Sequence, residues 1–448
     1  MGDAAPAHRL TVLIAATPQH AHVTPLLAVA SALVAEDVHV VVLTGRRFQD
    51  AVEATGAVFT PIGERFDYDD RELERTFPGI VGKTGIAGMK YAVRTVFLPP
   101  MPEQLVDLQF AADAHDAGVV VTDPLFLGGI AYALLPREHR RPVALIGLVP
   151  LMLDSRDTAP FGLGLLPMPG PVGLLRNALL QVLARHVLFA DIAKEVDTAF
   201  VAAVGAHLGH SVFDVGSVVD LIAQLTVPSF EYPRSDLPPT VRFVGPLRPP
   251  PGPAVRLPDW WSDLEGRTVV HVTQGTVANA RFEDLLLPTI RGLAEEDLVV
   301  VAATGRRDPG IVRDALGSVP GNLRLAEFLP YEQLLPLTDV MVTNGGYGGV
   351  HAALRHGVPL VVAGRSEEKV EVSARVRWSG VGVDLRTQRP TPDKVAAGVW
   401  RVLSEPSYRS AAERIGAEIR ATNGNAELVR LLRELAVRGR RVTPPAAG

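Results

Sequence analysis

One stretch of the chain can continue neither a helix nor a strand. It runs from Pro246 to Pro258 and opens Pro-Leu-Arg-Pro-Pro-Pro-Gly-Pro, where fixed φ angles and missing N–H donors exclude both hydrogen-bond ladders. It divides 448 residues, too many for one ordinary hydrophobic core, into two parts that can each bury their own. On both sides short apolar runs alternate with helical patterns. Before it the runs are 10–15, 38–44, 119–122 and 143–147; after it they are 268–273, 298–303, 322–326, 340–343 and 360–362. This alternation predicts an α/β fold of two doubly wound parallel sheets. The expected boundaries are an N-terminal domain over 1–245, a linker over 246–258, a second domain over 259–424, and a C-terminal helix and tail over 425–448. The leucine-rich stretch 426–437 is long enough to pack back on the first domain.

Composition narrows the function classes. A net charge of −5 without a basic tail argues against a nucleic-acid partner, because backbone phosphates are held by clustered Lys and Arg. The absence of cysteine excludes disulfides, thiolate zinc sites and a cysteine nucleophile, and fits a reducing cytoplasm. The first ten residues lack the basic and apolar regions of a signal peptide. Apolar stretches such as 162–171 are cut by proline and glycine, so no membrane span is expected.

Residues 342–350 read Val-Thr-Asn-Gly-Gly-Tyr-Gly-Gly-Val and lead from a strand through four glycines into a helix. Such a turn lets bare backbone N–H groups approach an anion at the positive end of a helix, and a diphosphate suits that chemistry. The first strand is instead followed by Thr17-Pro18-Gln19-His20-Ala21-His22, with no glycine, so the dinucleotide fingerprint of dehydrogenases is absent. A Walker-type phosphate loop is absent too. Thr24-Pro25 reads as the cap and first turn of a helix over 26–35, leaving His22 on the preceding loop. Two long segments, 64–104 and 149–176, interrupt the first domain. Both read as an apolar acceptor pocket or lid, the second carrying Met152, Phe161, Leu165 and Met168.

The stretch 344–375, N-G-G-Y-G-G-V-H-A-A-L-R-H-G-V-P-L-V-V-A-G-R-S-E-E-K-V-E-V-S-A-R, resembles the donor-binding signature of the inverting, GT-B-fold UDP-glycosyltransferase superfamily. It is most similar to the bacterial natural-product branch that acts on macrolides and polyketides. The likeness extends over nearly the whole chain, including Phe243-Val244-Gly245-Pro246-Leu247. The resemblance implies two Rossmann-like domains facing across a cleft, with a nucleotide-sugar as co-substrate and no cofactor. It places Asn344, Gly345, Gly346, Gly348 and Gly349 at the diphosphate, and Glu368 and Lys369 at the sugar, where the family carries Asp-Gln. Gly275 and Thr276 fall where the family touches the diphosphate, and Phe328 and Leu329 where it holds the nucleobase. Asn344 replaces the family's His. Ala352 replaces the Glu that binds ribose, with His351 the nearest substitute.

Ala21-His22-Val23-Thr24-Pro25 resembles the family's Gly-His-x-x-Pro, which implies His22 as general base, with His20 the nearby rival. Asp123, after the run 119–122, is the expected orienting carboxylate. Asp67-Tyr68-Asp69 has the spacing of a metal-bridging motif, but it lies far in sequence from the glycine turn, and no metal is expected. The expectation is therefore a cytoplasmic, metal-independent, inverting hexosyltransferase, monomeric or homodimeric. It would move a sugar from a UDP- or dTDP-sugar to a hydroxyl of a small apolar natural product. The alternatives are a non-catalytic nucleotide-sugar-binding accessory protein and an epimerase or hydrolase of the same fold.

Overall fold

The computed structural model describes residues 9–80, 83, 85–209, 214–248, 256–275, 279, 281–365 and 368–442. Among these the strands form two sheets, with every pairing parallel. The first contains β1 (Thr11–Ala15), β2 (His39–Thr44), β3 (Val58–Pro61), β4 (Val119–Thr122), β5 (Val143–Gly147), β6 (Leu221–Gln224) and β7 (Val241–Phe243), in the order β3-β2-β1-β4-β5-β6-β7. The second contains β8 (Val269–Thr273), β9 (Val299–Ala303), β10 (Leu323–Ala326), β11 (Val340–Thr343), β12 (Leu360–Val362) and β13 (Gly382–Asp384), in the order β10-β9-β8-β11-β12-β13. The strand runs read from the sequence all lie here, because strands covered on both faces are nearly continuous Val, Ile and Leu. β3, β6, β7 and β13 are additional. Three of these, β3, β7 and β13, are edge strands of three or four residues, partly exposed, with Pro61 in β3 and Gly382 in β13, too short to leave a pattern.

Five helices position the site: α1 (His20–Ala35), α2 (Gly170–Leu183), α3 (Tyr347–Arg355), α4 (Lys369–Trp378) and α5 (Gly424–Val442). α5 returns to the first sheet. Its Leu428, Val429, Leu432 and Leu435 share a core with Val12, Ile14, Leu26 and Leu33, and each fully buried leucine there contributes about 2 kcal/mol.

α1 begins at His20, earlier than the Thr24-Pro25 signal predicts, and Pro25 lies inside it. The early start is held from outside the helix. The His20 N–H donates to Asp70 Oδ2 (2.6 Å), and Gln19 Nε2 donates to the Tyr68 hydroxyl (2.6 Å). His22 therefore sits in the first turn of a helix and not on a loop. The acidic loop 67–70 serves this cap. Asp70 also pairs with Arg47, Asp69 with Arg47 and Arg71, and Asp67 accepts from the Arg46 N–H.

Candidate active site

In a doubly wound sheet the loops diverge where the strand order reverses, which opens a crevice at the carboxyl ends. In the first sheet that point lies between β1 and β4, which pair Ala15 with Thr122. His22 follows β1 and Asp123 follows β4, so one register places them together. His22 Nδ1 lies 3.1 Å from Asp123 Oδ1, with the imidazole one-fifth exposed and the carboxylate fully buried. Asp123 also accepts the N–H of Thr17 (2.7 Å) and of Leu125 (2.7 Å). Burial alone would raise its pKa. The His22 ring and these N–H donors outweigh burial and hold it below the usual carboxylate value. An ionised Asp123 takes the Nδ1–H, which leaves Nε2 with its lone pair. Phe97 stands edge-on to His22 at 6.3 Å, at the end of a π-turn in the segment 64–104. Sequence reading gave this segment a function but did not single out Phe97.

In the second sheet the reversal falls between β8 and β11, which pair Thr273 with Thr343. The two strands end alike. Thr273-Gln274-Gly275 and Thr343-Asn344-Gly345 each put a glycine at positive φ, +72° and +86°, with its N–H donating to the threonine hydroxyl two residues back. Asn344 Nδ2 donates to Gln274 O (2.7 Å) and ties the two turns together. Asn344 is buried, so its side chain joins the turns, and anion contact falls to the backbone. Gly346 caps α3 without a side-chain hydrogen bond, Gly348 is exposed, and a Cβ on Gly348 would meet nothing within 4 Å. The positive end of α3 is thus open. Gly349 lies within α3, over Met341. Lys369 and Ser373 of α4 lie against Gly345, so the sugar and diphosphate segments meet. Glu368 precedes α4 as its cap residue. Thr276 lies outside the described residues.

The nucleobase segment is split. Phe328 is 55% exposed, whereas the Leu329 side chain is in the core with Val269 and Leu334, leaving only its backbone to face a ligand. The guanidinium of Arg306, on the loop after β9, lies 5.8 Å from the Phe328 ring. Burial, Arg47 and Arg306 together lower the pKa of His20. Gln224 and Thr226, at the carboxyl end of β6, meet Tyr347 and His351 of the helix that follows β11, so the carboxyl ends of the two sheets face each other. No sequence signal marked Arg306. His20 turns its ring to Thr24 on its own helix, whereas His22 holds the carboxylate.

His351 does not substitute for the ribose-binding Glu. Its Nε2 meets Thr226 Oγ1 at 2.6 Å, its Nδ1 meets Tyr347 O, and burial lowers its pKa to about 4. Beside it the Tyr347 hydroxyl accepts from Gln224 Nε2. Both side chains leave the glycine turn to pack on the first sheet.

The segment 149–169 is clamped at many points and does not have the form of a loose lid. Arg234 donates to Leu151 O and Leu153 O, Glu231 accepts the Leu151 N–H, and Asn177 and Gln181 of α2 hold Arg156 O and Ser155 O. Met152 and Phe161 are half-buried in it, while Leu165 and Met168 are exposed.

Comparison with known proteins agrees with this geometry. The family model for the Erythromycin biosynthesis protein CIII-like, C-terminal domain matches residues 290–435, which include the glycine turn and α4. The chain is 43% identical to 4'-demethylrebeccamycin synthase of Lentzea aerocolonigenes over 95% of this chain and 99% of that one. It is 32% identical to UDP-glycosyltransferase 2 of Phaeomoniella chlamydospora over 95% of each. The crystal structure of the calicheamicin glycosyltransferase CalG4 superposes with a TM-score of 0.72 at 19% identity, covering 98% of this chain and 100% of that one. With this fold and these relatives, the chain belongs to the GT-B glycosyltransferases of the bacterial natural-product type.

Proposed function

We propose that the protein is an inverting, metal-independent glycosyltransferase that moves a sugar from a UDP- or dTDP-sugar to a hydroxyl of a small, largely apolar natural product. The observation that carries this reading is the pairing of His22, in the first turn of α1, with Asp123, just after β4, which sets an ionised carboxylate on Nδ1 so that Nε2 can act as the base. Nε2 removes the acceptor hydroxyl proton as that oxygen attacks the anomeric carbon. The bond to the nucleotide diphosphate breaks on the opposite face, so one displacement inverts the centre. The leaving charge is met by the backbone N–H groups at the open N-terminus of α3, around Gly346 to Gly349, with Arg306 and Lys369 as nearby cations. Residues 1–245 form the acceptor half and 259–424 the donor half. The name of the Phaeomoniella relative supports a UDP-sugar, and that of the Lentzea relative supports an acceptor drawn from bacterial natural products.

The test is to incubate the protein with UDP- and dTDP-sugars against polyketide, macrolide and flavonoid acceptors and the sugar-free core of 4'-demethylrebeccamycin. Nucleotide release, product mass and the anomeric configuration of the product are followed. Release that depends on acceptor, with an inverted product, is expected. If no donor and acceptor pair gives acceptor-dependent release, the transferase reading fails.

A further inference from the structure

Helix α4, whose first turn lies against the glycine turn after β11, holds the acceptor segment through that same turn. Glu371 Oε1 accepts two backbone N–H groups, Gly162 (2.8 Å) and Gly164 (2.9 Å). Both glycines have positive φ, +96° and +60°, which turns their N–H groups to the same side and makes a small concavity for one carboxylate oxygen. Gly164 is pressed on the neighbouring residue of α4. A Cβ there would stand 2.6 Å from Val370 Cγ2 and 3.1 Å from Val370 O. The other oxygen of Glu371 takes Arg375 Nη1 (3.0 Å), and Arg375 reaches across to Glu231 Oε1 with Nε (2.8 Å) and Nη2 (2.5 Å). All three charged side chains are almost wholly buried. Burial opposes the charges on Arg375 and Glu231, but their mutual attraction outweighs it, holding the pKa of Arg375 above and that of Glu231 below the ordinary values.

A buried ion pair costs desolvation and is not by itself a stabilising device. Here the cluster has a geometric result. Glu231 fixes Leu151 at the start of the acceptor segment, and Glu371 fixes Gly162 and Gly164 further along it. Both carboxylates are held by one arginine of the helix that begins at Glu368-Lys369. We infer that Glu371 is a positioning residue that sets the acceptor-bearing loop around Phe161 by reference to the donor-sugar end of α4. Occupancy of the donor site thereby orders the acceptor site. This inference rests on the transferase reading above for its kinetic consequence, but not for its structural one.

The experiment compares the wild type with Glu371→Ala, Glu371→Gln and Gly164→Ala. Glu371→Ala leaves Arg375 paired with Glu231, so no buried charge is stranded. Glu371→Gln keeps an acceptor for the two N–H groups. Gly164→Ala pushes the loop off Val370 from the other side and leaves the ion cluster untouched. Hydrogen exchange of the 160–168 amides is read with and without UDP or dTDP. In the wild type nucleotide slows this exchange. In Glu371→Ala and Gly164→Ala it is about tenfold faster and insensitive to nucleotide, with Glu371→Gln between them. With any donor and acceptor pair that the wild type turns over, the same two variants raise the acceptor KM about tenfold while nucleotide affinity is unchanged. Wild-type exchange that ignores nucleotide, or an acceptor KM unmoved in Glu371→Ala, overturns the inference. If the wild type transfers nothing to any acceptor, the transferase reading fails, and the exchange measurement still decides the coupling.

Discussion

The two sheets place their sites at the same topological point and equip them in opposite ways. After β1 and β4 two side chains, His22 and Asp123, form the proposed catalytic pair, and the backbone serves them by donating N–H groups to Asp123. After β8 and β11 it is the backbone at the open start of α3 that is proposed to meet the ligand. The side chains there serve the turn, Asn344 by tying it to Gln274 and Tyr347 and His351 by leaving it for the first sheet. A proton must be taken at one atom, which needs a side chain of fixed tautomer. A diphosphate spreads its charge over many oxygens, which several parallel N–H groups meet better than one residue does.

The largest effect should come from the side-chain site. Asp123→Asn and His22→Ala should each lower kcat for transfer by about 10³- to 10⁴-fold, with the nucleotide affinity measured by calorimetry unchanged. A parallel loss of nucleotide binding would show that the two sites are not separable. Next is acid sensitivity on the donor side. Burial lowers the pKa of His271 and of His351 to about 4, against 6.5 in the unfolded chain. Between those values the unfolded chain binds more protons, so stability falls as pH drops from 6.5 towards 4. Urea unfolding at pH 5 should show a loss of about 2 kcal/mol for each ring relative to pH 7. A stability that is flat over this range would mean the rings are not buried neutral.

Smaller effects probe the backbone site. Gly345→Ala forces an L side chain to φ +86°, which costs about 1–2 kcal/mol. Nucleotide affinity should fall by about tenfold as the N–H groups shift, with the His22–Asp123 pair unaltered. Tyr347→Phe removes only the hydroxyl bonded to Gln224. It should lower stability by about 1 kcal/mol and leave nucleotide affinity as it was, because that side chain faces the first sheet. Weakened nucleotide binding in this variant would place Tyr347 at the ligand after all.

Much of the frame was legible in the sequence. Central strands such as 119–122 and 340–343 announce themselves because both faces are buried, and the residues just after them, Asp123 and Asn344, inherit their position from the topology. What the sequence hid was pairing at long range. Nothing near residue 20 shows that Asp70 will cap α1 and carry the helix back over His22. Nothing in 344–352 shows that Asn344 will be taken up by Gln274, or that His351 will be taken up by Thr226. The Glu231–Arg375–Glu371 cluster joins residues up to 144 positions apart, and each alone reads as an ordinary surface charge. The edge strands were hidden for a different reason, since a three-residue ladder such as 241–243 has no period to detect.

α5 gives the chain a dependence on the order of its own synthesis. Leu428 and Leu432 close the face of the first sheet that carries Val12 and Ile14, so the core around β1 is incomplete until α5, made about 180 residues after β7, arrives. At ordinary translation rates that gap is on the order of tens of seconds. Through that interval an apolar face of the first sheet is exposed, although the strands that carry it have already been made.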